Sequence, residues 1–265
     1  MLHLLKVEWL KLKHYRTFWI LAVLYVISNY GLSYIAYTIQ NQVAHDVSKN
    51  SLGRAVIGAS PFAFPDVWQT VTYMSSFLLF IPALLVIISV TNEFSYKTHR
   101  QNIVDGWSRQ QFISVKLVVL LIISILSTLI VFLTALIFGW QAGSVVSFDK
   151  IGFIGYFFIQ ALSYCCVALI FALLLKRSGL AIGVYFLYTV VLENLLGGLL
   201  SRGSENAGHY LPLNATDSLI PFPFLRKVTG NLLYKPDYTI LLPLAAAYLI
   251  AYVVFSMRKF QTDDL

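Results

Sequence analysis

The fold of this chain is organised around one polar stretch, residues 92–116, NEFSYKTHRQNIVDGWSRQQFISVK. The stretch is net basic and separates two long apolar runs. Within it, Thr98 stands three residues before Gln101, which is the spacing of a capping box. Gly106 suits the position just past a helix end, where a positive φ is favoured. The pattern predicts a short helix over residues 99–105.

A second capping box follows at once, because Ser108 stands three residues before Gln111. It predicts a new helix that begins at Arg109 and continues into the next apolar run. The short helix before it cannot be stable alone, so it must pack on something. Its Ile103 and Val104 offer an apolar surface to a partner or to the lipid interface.

Composition indicates that the solvent of this chain is lipid. Of its 265 residues, 58% are hydrophobic and 12% are charged, and the mean hydropathy is +0.74. Soluble domains carry about 25% charged residues, and a soluble core could not hide this much apolar surface. The net charge of +7 then indicates loops that face anionic lipid, and we expect no nucleic-acid partner.

Six apolar runs are long enough to span a bilayer, because each is near or above the roughly 20 residues that cross about 30 Å of hydrocarbon. They predict an all-α, polytopic membrane protein with a single transmembrane domain over residues 1–265. The predicted spans are residues 17–38, 70–91, 113–138, 151–175, 179–200 and 239–257. The adjacent Cys165 and Cys166 fall within the fourth span, where we expect small packing residues and not a redox or metal pair.

The distribution of Lys and Arg predicts the orientation. With six spans, both termini lie on one side of the membrane. The segments on that side are the shorter ones, yet they hold twelve of the 19 Lys and Arg residues, against seven on the other side. Cytoplasmic loops carry the excess of positive charge, so both termini are predicted to be cytoplasmic.

Residues 1–16 form a basic amphipathic segment in which four apolar side chains share one helical stripe. These are Leu2, Leu5, Trp9 and Leu12, and the charge comes from Lys6, Lys11, Lys13 and Arg16. Such a segment is typical of a helix that lies in the membrane interface. A cleaved signal is not expected, because a full-length span follows and no small-x-small site ends the segment.

The polar stretch resembles the first cytoplasmic loop of ABC-2-type permeases (type V fold), the membrane subunits of one class of ABC transporter. That family carries a Glu at the inner end of its second span, then Thr-x-Arg, a short helix, a Ser-Arg pair and a Lys leading into the third span. The matching residues here are Glu93, Thr98, Arg100, Ser108, Arg109 and Lys116. Family members often have Gly before the Thr and Pro before the Ser-Arg pair, where this chain has Lys97 and Trp107.

The resemblance implies the permease subunit of an ATP-driven exporter in a bacterial inner or plasma membrane. Two permease copies would each dock a separate ABC ATPase, which holds ATP and Mg²⁺, so this chain itself would be neither an enzyme nor a cofactor protein. Residues 1–16 would be the elbow helix that leads into the first span. The docking, or coupling, helix would comprise Thr98, His99, Arg100, Gln101, Asn102, Ile103, Val104 and Asp105. The alternative is a non-transporting six-span immunity or sensor protein that binds a partner.

The positions of proline indicate that two segments are not straight membrane spans. Pro82 removes an amide and frees the carbonyl of Leu78, which should kink the second span. Residues 211–225, LPLNATDSLIPFPFL, are too apolar for a solvated loop and too rich in proline for a span. They predict a re-entrant outer segment between spans five and six, whose backbone is covered by protein.

Polar side chains inside the spans are candidates for a substrate pathway, because burying them in lipid is costly. Glu193 in span five is the first candidate; the alternatives are that it reaches the wet outer end or pairs with Arg202. Gln160 in span four and Asn29 in span one are further candidates, or else they form hydrogen bonds between helices.

Motifs of catalysis are absent from the sequence. It contains no G-x-x-x-x-G-K-[ST] to cradle ATP phosphates, no G-x-S-x-G nucleophile elbow, and no H-E-x-x-H or clustered histidines to bind a metal. ATP hydrolysis is therefore expected in a partner subunit.

The predicted orientation can be tested by cysteine accessibility. Single cysteines are placed at positions 105 and 205 and labelled on intact cells with an impermeant thiol reagent. We expect labelling at 205 only, because residues 92–112 should face the cytoplasm and residues 201–238 the outside. Labelling at 105 but not at 205 would reverse the topology.

Overall fold

The computed structural model describes residues 2–47, 61–104, 106–201, 207–223 and 236–262. All secondary structure in these ranges is helical, which confirms the all-α prediction. The helices are α1 (Leu2–His14), α2 (Arg16–Val47), α3 (Val67–Ser76), α4 (Phe80–Ser95), α5 (Thr98–Val104), α6 (Arg109–Gln141), α7 (Gly152–Leu175), α8 (Ser178–Phe186), α9 (Glu193–Ser201), α10 (Asn214–Asp217) and α11 (Tyr238–Thr262). A π-helical turn (Leu187–Leu192) joins α8 to α9, and a 3₁₀ turn (Ala207–Tyr210) precedes α10.

Several of these helices are long and apolar enough to cross a membrane, as expected of a multi-pass membrane protein. Five qualify on their own, and a sixth is added if the bent pair α3–α4 is one span. The five are Arg16–Gln42 within α2, α6, α7, the continuous unit from α8 to α9, and α11. Each lies over one of the predicted apolar runs.

The α3–α4 pair is bent by 45° at a break over residues 77–79. This is the kink expected from Pro82, and it lies on the N-terminal side of the proline. Pro82 stands in the first turn of α4, where its missing N–H removes no helical hydrogen bond. The expectation that the Leu78 carbonyl is left free is wrong, because this carbonyl lies in the break and accepts from the Ile81 N–H at 3.0 Å.

The long α7 helix lies at the centre of the bundle and contacts α3, α4, α6, α8 and α11. Its most buried face runs through Phe157, Ala161, Cys165, Ala168 and Ala172 at helical spacing. Four of these five side chains are small, which lets neighbouring helices approach closely. Both cysteines are free and buried on α7, as expected of packing residues.

The bundle has two ends, which we name by the short helix that each carries. At the α5 end, Arg109 donates to the backbone carbonyl of Gln261 at 2.7 Å, which joins the start of α6 to the end of α11. At the α10 end, the indole N–H of Trp68 donates to the carbonyl of Ser147 at 2.8 Å. That contact joins the start of α3 to the connection between α6 and α7.

Candidate functional site

The described part of the short helix α5 runs from Thr98 to Val104, so the helix begins one residue earlier than predicted. The predicted capping box of Thr98 and Gln101 is wrong, because no hydrogen bond joins these side chains in the described structure. A capping residue must precede its helix, and Thr98 is already helical. Lys97 precedes it instead, at φ 57°, and its carbonyl accepts from the N–H groups of Arg100 and Gln101.

The C-terminal end of α5 follows the prediction. Gly106 has φ 98°, and its N–H donates to the Ile103 carbonyl at 3.1 Å. The Trp107 N–H donates to the Asn102 carbonyl at 3.0 Å. These two bonds form a Schellman motif. Residue 105, which the prediction included in the helix, lies outside the described residues.

The second capping box, at the start of α6, is confirmed. The Gln111 N–H donates to Ser108 Oγ at 3.1 Å, and the Ser108 N–H donates to Gln111 Oε1 at 2.9 Å. Only four residues therefore separate α5 from a helix whose first turn is fixed by two reciprocal hydrogen bonds. The position of α5 is thus defined by the helices on both sides of it.

The exposed surface of α5 is formed chiefly by Val104, whose side chain is 85% exposed. Arg100 and Gln101 are also exposed, Ile103 is half-buried, and Asn102 is buried. The apolar surface that the sequence assigned equally to Ile103 and Val104 is therefore mostly that of Val104. His99 contributes its backbone to the first turn of the helix.

Four charged side chains form a buried ion cluster beside α5. Glu8 Oε2 lies 2.5 Å from Lys116 Nζ, and Glu93 Oε1 lies 2.8 Å from the same nitrogen. Lys11 Nζ closes the cluster, at 3.1 Å from Glu8 and 3.0 Å from Glu93. Glu8 is 1% exposed and Lys116 is 3% exposed, so the central pair is out of water. The cluster joins α1, α4 and α6.

The two lysines stabilise the ionised form of the Glu8 carboxylate. Burial alone would raise the pKa of Glu8, but Lys116 and Lys11 outweigh it and hold the pKa below its ordinary value. Burial likewise opposes the charge on Lys11, and the carboxylates of Glu93 and Glu8 raise its pKa above the ordinary value. Lys11 also lies 6.0 Å from the ring centroid of Trp107, just past α5.

This cluster shows a bundle-facing side of the N-terminal helix that the sequence analysis did not predict. The face of α1 that meets the bundle includes Glu8, whereas Trp9 of the predicted apolar stripe is 51% exposed. Glu8 was not a candidate from the sequence. The signal that could have found it is a lone carboxylate in a strongly basic helix, with Lys11 one turn away.

At the α10 end, two of the three polar candidates, Asn29 and Gln160, belong to chains of hydrogen bonds around the break between α3 and α4. Asn29 Oδ1 accepts from Ser75 Oγ at 3.3 Å. Gln160 Oε1 accepts from Ser76 Oγ at 2.8 Å, and Gln160 Nε2 donates to Asp217 Oδ1 at 2.8 Å. Adjacent serines before the break are thus held by α2 on one side and by α7 on the other.

The Glu193 side chain also forms hydrogen bonds to the segment that contains α10. Its Oε1 accepts from the backbone N–H groups of Leu213 and Asn214, the latter at 3.0 Å. The π-turn adds a residue to the helical turn before Glu193, which changes the face on which it lies. Glu193 is 2% exposed, although Leu192 and Asn194 on either side are exposed. The alternative partner Arg202 lies outside the described residues.

Asp217, which the sequence did not single out, joins these chains. Its Oδ2 accepts from the Tyr164 hydroxyl at 3.0 Å, and its Oδ1 accepts from Gln160. Removal from water raises its pKa to about 7, with a further contribution from the negative charge of Glu193, although the hydrogen bonds from Gln160 and Tyr164 oppose the rise. No ion pair to Asp217 or Glu193 occurs within the part of the chain that the structure describes. The sequence signal was the aspartate inside an apolar, proline-rich segment.

A cavity of about 740 Å³ opens beside Asp217. It lies between the start of α7, α9, the segment 207–222 and the start of α11. One side is closed by a tight approach of α9 to the 3₁₀ turn, where a Cβ added to Gly208 would meet the Gly197 carbonyl oxygen at 2.4 Å. The remaining wall is polar on the side of α10 and aromatic on the side of α7 and α11.

A family model described as "Protein of unknown function (DUF2705)" matches residues 34–265. The chain belongs to this family. The DUF2705 match includes α5, Glu93 and Lys116, the polar chains around Gln160 and Asp217, and the cavity, while α1 precedes it. A comparison with curated proteins finds no match.

The role of Glu193 as a hydrogen-bond acceptor can be tested with two substitutions. Glu193→Leu leaves two buried N–H groups without a partner, and each costs about 1–3 kcal/mol. Glu193→Gln keeps an acceptor oxygen. We therefore expect thermal unfolding of the purified protein in detergent to occur at a clearly lower temperature for Glu193→Leu and near the wild-type temperature for Glu193→Gln.

The matched control is Asn194→Leu, because the exposed Asn194 side chain donates only to carbonyls of its own helix. It should unfold like the wild type. Equal destabilisation by Glu193→Gln and Glu193→Leu would mean that the charge of Glu193, and not its acceptor oxygen, holds the segment.

Proposed function

We propose that this chain is the membrane-spanning permease subunit of an ATP-driven ABC exporter. It works with a separate ATPase subunit and a second permease copy. The observation that carries the proposal is α5, a short helix that presents Val104 to the exterior and is fixed at both ends. ATP and Mg²⁺ belong to the partner ATPase, and the docking of that ATPase on α5 is the contribution of this chain.

The support for docking is mechanical. A helix that transmits force must be exposed on one side and rigidly mounted on the other. Exposure comes from Val104, with Arg100 and Gln101 beside it. The mounting consists of the Schellman motif at Gly106, the capping box that follows it, and the ion cluster. Glu93 and Lys116, two positions of the ABC-2 resemblance, lie in that cluster.

The α5 end is then the cytoplasmic end. Closure of two ATPase subunits around ATP would push on α5, and the ion cluster would pass the displacement to α1, α4 and α6 together. The α4 helix leads to the break before Phe80, where Ser75 and Ser76 are held by Asn29 and Gln160. We propose that access to the α10 end changes at this break, so that these buried polar groups lie along the transport pathway with Glu193.

The docking role predicts that Val104→Asp weakens ATPase binding and transport-coupled hydrolysis. A carboxylate would enter an apolar contact, and loss of one well-packed apolar anchor costs more than about 1 kcal/mol, so the dissociation constant should rise at least about fivefold. Because Val104 is 85% exposed, the permease itself should fold normally. Both readouts are taken after co-expression with candidate stand-alone ABC ATPases from the same genome.

Val145→Asp is the matched control, since Val145 is 90% exposed in the connection between α6 and α7 at the other end of the bundle. It should bind the ATPase like the wild type. If Val104→Asp binds and hydrolyses like Val145→Asp, α5 does not dock the ATPase and the permease proposal loses its main support.

A further inference from the structure

We propose that the cavity at the α10 end is a binding site for an amphipathic ligand with an ammonium headgroup. The proposal deepens the proposed function by naming a ligand class. It rests on three properties of the wall: the hydrogen bonding of the Asp217 carboxylate, the charge and partners of the basic side chains, and the aromatic surface. Each can be followed from the contacts of the described residues.

The carboxylate of Asp217 reaches the cavity with unused acceptor capacity. A carboxylate offers roughly four acceptor positions. In Asp217 two donors, Gln160 and Tyr164, occupy two of these positions. Asp217 is half-buried and lines the cavity, so a ligand in the cavity lies beside its carboxylate. Glu193 lies behind it on α9 and adds a second negative charge to this side. A cation in the cavity would stabilise the ionised form of both.

The basic side chains of the wall do not neutralise this region. Lys150 is bound to the carboxylate of Asp66, on the far side of the connection to α7. His209 contacts Ser218 Oγ at 2.9 Å, and burial lowers its pKa below the ordinary value, so its ring is neutral at pH 7. The described part of the wall therefore favours a positive ligand over a negative one.

Aromatic rings supply the rest of the surface. Phe153, Phe222 and Tyr238 line the cavity together with Pro221 and Pro236. Ammonium groups bind over aromatic faces, and the attraction grows when water is excluded. The volume of about 740 Å³ is far larger than an ammonium group needs and lies in the range of sites for small organic ligands. A ligand that fills it must therefore carry an apolar body as well as a charge.

The test measures binding by the full-length chain alone, without an ATPase, so its failure is separate from failure of the docking proposal. Octylammonium, whose three N–H groups can donate to a carboxylate, is the probe, and isothermal titration is carried out in dodecylmaltoside, a non-ionic detergent. We expect saturable binding near one site per chain and much weaker binding of octyl sulfate, which has the same tail and the opposite charge. Asp217→Asn should weaken binding about tenfold or more, since it removes a charge-assisted contact.

Gly198→Leu is a second variant that leaves the polar chains intact. A Cβ at Gly198 would meet no atom within 4 Å, so the leucine extends into the cavity that this residue lines. Its control is Gly183→Leu, at an equally open position of the same span outside the cavity. The control for Asp217→Asn is Asp149→Asn, at an exposed carboxylate of the same end.

Folding is checked by thermal unfolding and gel filtration, and only folded variants are compared. If Asp217→Asn does not fold, the pair of glycine variants decides. The proposal is overturned if octyl sulfate binds as tightly as octylammonium, if no saturable binding occurs, or if folded Gly198→Leu binds like the wild type.

Discussion

The pairing of Lys116 with Glu8 and Glu93 is the interaction on which the arrangement of the α5 end depends. Three charges out of water are tolerated only because each faces an opposite one. Removal of one partner from such a cluster typically costs about 3–5 kcal/mol, since the charges left behind stay buried. The three helices that carry these residues cannot separate without exposing or unpairing them, so α1, α4 and α6 form one unit with α5 mounted on it.

A different kind of bonding holds the α10 end. Apart from the partly exposed Lys150–Asp66 ion pair, the helices there are joined through side-chain hydrogen bonds to hydroxyls and backbone groups, and two carboxylates, Glu193 and Asp217, accept from uncharged donors. Loss of a hydrogen bond to one charged group costs about 1.5–3 kcal/mol, which is less than the about 3–5 kcal/mol typical of breaking a buried ion pair. The α5 end, held by buried ion pairs, is therefore suited to transmit force. At the α10 end, the contacts around the broken span can rearrange. This difference between the two ends fits the proposed exporter, in which the ATPase docks at one end and substrate access changes at the other.

Features of the fold that depend on near neighbours were predictable from the sequence. The apolar runs, the turn at Gly106 and the capping box at Ser108 each follow from residues within a few positions of one another. The cap at Thr98 failed because Lys97 adopts a positive φ, which single-residue preferences disfavour for lysine. Glu8 and Asp217 escaped notice because their partners are distant in the chain: 108 residues separate Glu8 from Lys116. Whether a given carboxylate is buried or exposed is decided by tertiary packing, which brings residues together that are far apart in the sequence.

The central claim is that Glu8 and Lys116 are coupled within one buried cluster, and a double-mutant cycle in thermal unfolding tests it most directly. Lys116→Met should destabilise strongly, because it leaves Glu8 and Glu93 together with Lys11 as their single cation. Adding Glu8→Gln should restore stability, since Glu93 then keeps Lys11 to itself. The account predicts that the double variant unfolds at a higher temperature than Lys116→Met alone. A double variant that unfolds at a lower temperature, by the sum of the two separate losses, would contradict it.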